Sequence, residues 1–231
     1  MTGSENKSEL LPKLTIDGVC NAGGGVYDSV NLDGVGKING AVKSRAFRAN
    51  GQFKVLGDLE STEMICEGIL TVHGNAHIAE GKMDGMLTIE GTLDGEHLEV
   101  YGVWKVKKNC EIERMKTEGA FFIDGLLNAG HVEIHLHGLS KASEIGVEAL
   151  RVRRLSKSKW NLLRFIPKFN PELQAKVIEG DELDLEYTTT DVVRGNRVSI
   201  GPGCTIGRVE YRSELIKHPK AKVGEEMKVG D

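Results

Sequence analysis

Apolar residues return along this chain at fixed offsets every seventeen positions. One set runs Phe53, Leu70, Leu87, Trp104, Phe121, and a second, two residues further on, runs Ile38, Val55, Val72, Ile89, Val106, Ile123. A third contains Val42, Leu59, Ala76, Leu93, Cys110 and Leu127. Two more complete the unit: Phe47, Met64, Leu98, Met115, Val132, and Ala49, Cys66, Met83, Val100, Thr117, Ile134. Polar residues fill the alternate places, so the local period is two and the element is a strand. A glycine leads each unit at Gly34, Gly51, Gly68, Gly85, Gly102 and Gly119, with a second six residues later at Gly40, Gly57, Gly74, Gly91 and Gly125. A repeat this short does not hold a helix pair or a propeller blade. It fits one coil of a solenoid whose strands meet at glycine corners.

These columns predict an all-β protein, a three-sided parallel β-helix over residues 14–150 behind a flexible tail at 1–13. Leu14, Ile16, Gly18, Cys20, Ala22, Gly24 and Val26 repeat the motif backward, with one residue lost because Gly18 precedes Gly34 by sixteen. After Leu136 and Gly138 the beat fades, although Ile145, Val147, Leu150 and Val152 continue it loosely. About seven coils at ~4.8 Å each predict a rod of roughly 30 Å. The core lacks the small-residue sixes of left-handed hexapeptide helices, which favours a right-handed coil.

Residues 151–180 break the pattern. Between Arg151 and Lys176, the cations Arg151, Arg153, Arg154, Lys157, Lys159, Arg164, Lys168 and Lys176 face a single acid, Glu172, and enclose Trp160, Phe165 and Phe169. Cations beside aromatics suit a membrane surface or an acidic partner, which makes Lys157, Lys159, Trp160, Arg164, Phe165 and Phe169 candidate contact residues. The same aromatics also suit an end-cap lying over the last coil. Extra strands with a closing turn are expected over 181–213, and a flexible tail over 214–231.

Composition narrows the function. A net charge of -4 over 231 residues offers no general attraction to nucleic acid. The N-terminal residues carry no secretory apolar region, and the four cysteines have no metal-ligand spacing, so buried thiols in the cytoplasm are expected. His131, His135 and His137 share the outward face of one strand with Glu133 and are weak metal candidates, since residues two apart on a strand lie ~6.7 Å apart. Asp58, Glu60, Glu63, Glu67, Glu90 and Asp94 spread over several outward columns, as salt-bridge ladders do, rather than pairing as glycosidase acids. Ile200-Gly-Pro-Gly-Cys-Thr-Ile206-Gly has the form of two acyltransferase hexads, too few for a coenzyme site, and reads as a closing turn. No nucleophile elbow or phosphate loop is present, so no enzyme and no cofactor are expected.

The units Gly68-Ile-Leu-Thr-Val-His-Gly74 and Gly85-Met-Leu-Thr-Ile-Glu-Gly91 resemble coils of the bactofilins, the polymer-forming bacterial cytoskeletal proteins. The run from Val198 to Tyr211 is similar to that of the longer Bacillus-type members. The resemblance spans roughly Leu14 to Gly138. It implies a cytoplasmic or membrane-associated scaffold that stacks end to end into nucleotide-independent filaments, with roles in cell shape, motility or flagellar assembly. The partners it implies are further copies of the chain, a paralogous bactofilin, a membrane surface, or motility and envelope proteins. Leu14, Ile16 and Cys20 of the first coil are then the self-assembly candidates. A β-helical adaptor that binds such a partner without polymerising is the alternative.

Overall fold

A computed structural model describes residues 11–154 and 171–230, and within them the chain is all-β, without a helix. Ten strands form one parallel sheet in sequence order: β1 (Lys13–Val55), β2 (Leu59–Val72), β3 (Ala76–Ile89), β4 (Leu93–Val106), β5 (Cys110–Leu136), β6 (Leu139–Arg154), β7 (Glu172–Leu185), β8 (Thr188–Ile200), β9 (Thr205–Lys217) and β10 (Lys222–Lys228). The coils stack into a β-solenoid of about ten turns. At ~4.8 Å per turn that is a rod on the order of 50 Å, longer than the sequence predicts.

The register is the seventeen-residue beat made visible. Phe53, Leu70, Leu87, Trp104 and Phe121 lie side by side, as do Val55, Val72, Ile89, Val106 and Ile123. All are at most 2% exposed, so the core runs unbroken from coil to coil, with Phe53, Trp104 and Phe121 as the aromatics of the first file. The Trp104 and Phe121 rings sit 5.5 Å apart, and the Trp104 indole donates to the buried Thr117 hydroxyl at 3.2 Å. That bond satisfies the polar end of the largest core side chain.

Three bends close each coil. One is a turn between strands, as at residues 56–58. A second is a skipped pair, where Ser61 faces Ile78 and the ladder resumes at Glu63 and Glu80. The third is the glycine corner. Gly85 holds φ +130°, and a Cβ there would lie 2.1 Å from the Gly68 carbonyl oxygen of the preceding coil, so no side chain fits. The turns are stitched by side chains that replace missing ladder bonds: Asp58 accepts from the Asn75 amide at 2.7 Å, Asn75 from the Thr92 amide at 3.0 Å, and Asn109 from the Leu126 amide at 3.1 Å. This corner column at offset seven from the glycine is regular in sequence, but hydrophobic patterning does not reveal it.

The second half departs from expectation because the coil length changes. Partners stand nineteen apart at Phe122 and Lys141, thirty-three at Leu139 and Glu172, fifteen at Leu173 and Thr188, and sixteen at Thr189 and Thr205. The columns therefore continue through Ile145, Ile178, Val193 and Val209, all buried, although no single period predicts them. The residues expected as extra strands are further turns of the same solenoid. Gly201–Cys204 is a corner between β8 and β9 rather than a closing turn, and the expected tail supplies β10, paired to β9 from Lys222 to Lys228. Polar strands on the outermost turn resemble disorder in composition because only one side of each needs to be apolar.

Candidate assembly surfaces

On the first coil the core columns run out. Leu14 and Ala22 are only partly buried and Cys20 is exposed, whereas Val30, Ile38, Phe53 and Val55 on the following coils are at most 1% exposed. Ile16, at 5%, is the one covered residue of its coil. The lost residue of the sequence register lies in the Gly23-Gly24-Gly25 stretch. Asp28 pairs with Arg45, seventeen on, which turns Tyr27 toward the core and Val26 outward. Of the predicted assembly residues, then, Leu14 and Cys20 belong to an open end face, while Ile16 underlies it. The expectation of four buried thiols holds for three. Burial pushes the Cys66 thiol up to about 12 and raises those of Cys110 and Cys204, but Cys20 lies on the surface.

The other end differs chemically. β10 is a seven-residue strand, and Lys222, Glu225, Glu226 and Lys228 stud it. It covers only Thr205–Tyr211 of the turn beneath, so Leu215 stays partly exposed and Ile216 exposed. Short charged edge strands resist indiscriminate pairing.

Lys157, Lys159, Trp160, Arg164, Phe165 and Phe169 lie outside the described residues. Their neighbours are informative. Arg151, Arg153 and Arg154 belong to β6 and Lys176 to β7, so half of the supposed basic insertion is solenoid wall. Arg153 contacts Asp184 and Glu186, Arg151 lies 3.8 Å from Asp184, and the Arg154 guanidinium sits 4.8 Å above the Tyr187 ring. The hydrogen bond that Arg153 donates to the Asp184 carboxylate holds the guanidinium pKa above its ordinary range. These arginines tie β6 to β7 on either side of the insertion, and four strands follow it, so the rod does not end there.

The histidines find carboxylates. His135 lies 3.0 Å from Glu133 and His137 3.2 Å from Glu118, while His131 is exposed, so the three metal candidates are not gathered on one point. Glu80, Glu96 and His97 come closer, with ligand atoms within 4.8 Å of one another. Glu80 and His97 are register partners at 2.9 Å, an ion pair of the kind that recurs down the walls. Lys43 with Glu60 at 2.5 Å, His73 with Glu90 at 2.9 Å and Lys107 with Asp124 at 3.7 Å repeat the seventeen-residue spacing. His77 and Asp94 do so too. The acids Glu60, Glu90 and Asp94 thus serve as ladder rungs.

A groove of about 600 Å³ runs along one wall, where Arg151 and Asp184, and Glu182 and Arg197, form coil-to-coil pairs. Among the described residues no helix is long and apolar enough to cross a membrane.

An exposed first coil, a charged last strand and laddered walls define a β-solenoid. No protein-family model and no solved structure matches the chain. Two Bacillus subtilis proteins are similar to part of it: Uncharacterized protein YhbF, 38% identical over 93 residues, and Uncharacterized protein YhbE, 44% identical over 86. These alignments cover 40% and 37% of this chain, and 37% and 35% of the respective relatives. The chain thus spans little more than a third of the length of the curated relatives it matches.

Proposed function

We propose that this protein is a non-enzymatic, bactofilin-like scaffold that assembles end to end into filaments without nucleotide, and that it works at the cytoplasmic side of cell-shape or motility structures. The observation that carries this reading is the open first coil. Leu14, Cys20 and Ala22 occupy columns whose members Val30, Phe53 and Ile38 are closed on the coils that follow, and among the described residues the outer edge of the first turn has no strand beside it. A second copy stacked on that end continues both the ladder and the core. The partial likeness to two Bacillus subtilis proteins agrees with the resemblance of the repeat to Bacillus-type bactofilins.

Ultracentrifugal pelleting of the purified chain without nucleotide tests the proposal. The wild type is expected to pellet above a critical concentration. Cys20→Arg, which sets a charge on the end face without entering the core, is expected to stay in the supernatant with unchanged circular dichroism. A wild type that remains monomeric at high concentration supports the non-polymerising adaptor instead.

A further inference from the structure

The outward columns carry a pattern that the core columns hide. One residue after each glycine corner stand Val19, Val35, Gln52, Ile69, Met86, Val103 and Ala120, stacked on consecutive coils. Val19, Val35, Ile69 and Met86 are exposed, from 39% at Ile69 to 88% at Val19. Each rung adds ~4.8 Å, so the stripe is about 30 Å long. Scattered apolar surface residues need no account, but a file of six on seven successive coils, broken only at Gln52, does.

The borders of the stripe are charged with opposite signs. The column before the glycine holds Asp17, Asp33, Glu67, Asp84 and Glu118, with Asn50 and Tyr101 and without a base. The column beyond the stripe holds Lys37, Lys54 and Lys105, with Asn21, Thr71, Thr88 and Phe122, and Lys141 on the next coil, without an acid. Elsewhere on the rod several charges are matched between coils, as at Lys43 with Glu60 and Lys107 with Asp124. Among the described residues, none of these four lysines makes an ion pair, nor do Asp17, Asp33, Glu67 or Asp84.

We infer that this stripe is a lateral docking surface for a second copy of the same chain, with the two rods parallel. Turning a copy by half a turn about an axis along the rod lays stripe on stripe. Each lysine column then faces the partner's acid column, the long lysine stems reaching across the glycine edge. Turning it end for end instead lays acid on acid and lysine on lysine. The acid column also disfavours an anionic membrane as the occupant. A face about 30 Å long and ~15 Å wide buries roughly 900 Å² in total, below the ~1,200 Å² of a stable free dimer. The contact is therefore weak between single rods and gains strength when rods are joined in series. It does not require end-to-end assembly.

Disulfide trapping tests the inference, because a denaturing gel counts lateral pairs whether or not the rods are also stacked. In a Cys20→Ser background, Ile69→Cys and Val103→Cys are oxidised separately and mixed. Parallel pairing about an axis along the rod sets each site opposite itself, so both variants are expected to form homodimers. The mixed 69–103 species is expected to stay at least tenfold rarer, since sites two coils apart exceed disulfide reach. Lys54→Glu/Lys105→Glu is expected to slow cross-linking at least tenfold, and adding Glu67→Lys/Asp84→Lys to restore it. Mixed dimers alone, no dimers from folded and maleimide-reactive variants, or no recovery in the fourfold reversal would each overturn it.

Discussion

Replacing Trp104 with alanine removes the largest buried side chain from the middle of the rod. Trp104 is 0% exposed, stacked between Leu87 and Phe121 in the ladder, and its indole is the partner of the buried Thr117 hydroxyl. Truncating a buried aromatic costs about 3–5 kcal/mol, and leaving Thr117 unsatisfied adds roughly 1 kcal/mol more. The total of about 4–6 kcal/mol is comparable to the whole stability of many domains. A solenoid couples its turns only through neighbours, so the loss falls on one interface and splits the rod into two weakly joined halves. Denaturant unfolding followed by far-ultraviolet circular dichroism is therefore expected to shift to lower midpoint and to separate into two transitions. Trp104→Phe, which keeps most of the volume, is expected to lose only about 1–2 kcal/mol in a single transition. A loss under 1 kcal/mol for alanine would refute the placement of this column in the core.

Three further outcomes follow from the same geometry. In dilute, unassembled protein at pH 8, Ellman's reagent is expected to titrate Cys20 alone, with Cys66, Cys110 and Cys204 reacting only after unfolding. A thiol raised to about 12 is ~10⁻⁴ ionised at that pH. Asn75→Ala is expected to cost about 1–2 kcal/mol in thermal or denaturant melts, because the Thr92 amide and hydroxyl lose one acceptor together. Gly85→Ala is expected to be worse than an ordinary surface change, at about 2 kcal/mol or more, since the φ of +130° and the Gly68 carbonyl both oppose a Cβ.

The first half of the fold is legible because one period governs it: from Ile38 to Ile134 a residue's number modulo seventeen states whether it faces in or out. Beyond Leu136 the same physics continues with coils of changing length, so Ile178 and Val193 are as buried as Val72 but stand at offsets that no fixed period finds. Cys20 shows the complementary limit. Its column is inward, yet on the first described coil Cys20 is exposed. β10 escapes notice because a strand on the outermost turn can be mostly charged. The apolar stripe through Ile69 and Met86 lies in outward columns, where single exposed apolar residues look unremarkable until the register aligns them.

The direction in which rods join is the most direct test of the scaffold reading. Aligned fibres of the purified protein, prepared without nucleotide, give a diffraction pattern in which the ~4.8 Å spacing between turns lies along the fibre axis if coils stack end to end. A meridional 4.8 Å reflection from the wild type, with no fibres from Cys20→Arg, is the predicted result. An equatorial 4.8 Å reflection, or fibres from Cys20→Arg indistinguishable from those of the wild type, would contradict assembly through the open first coil.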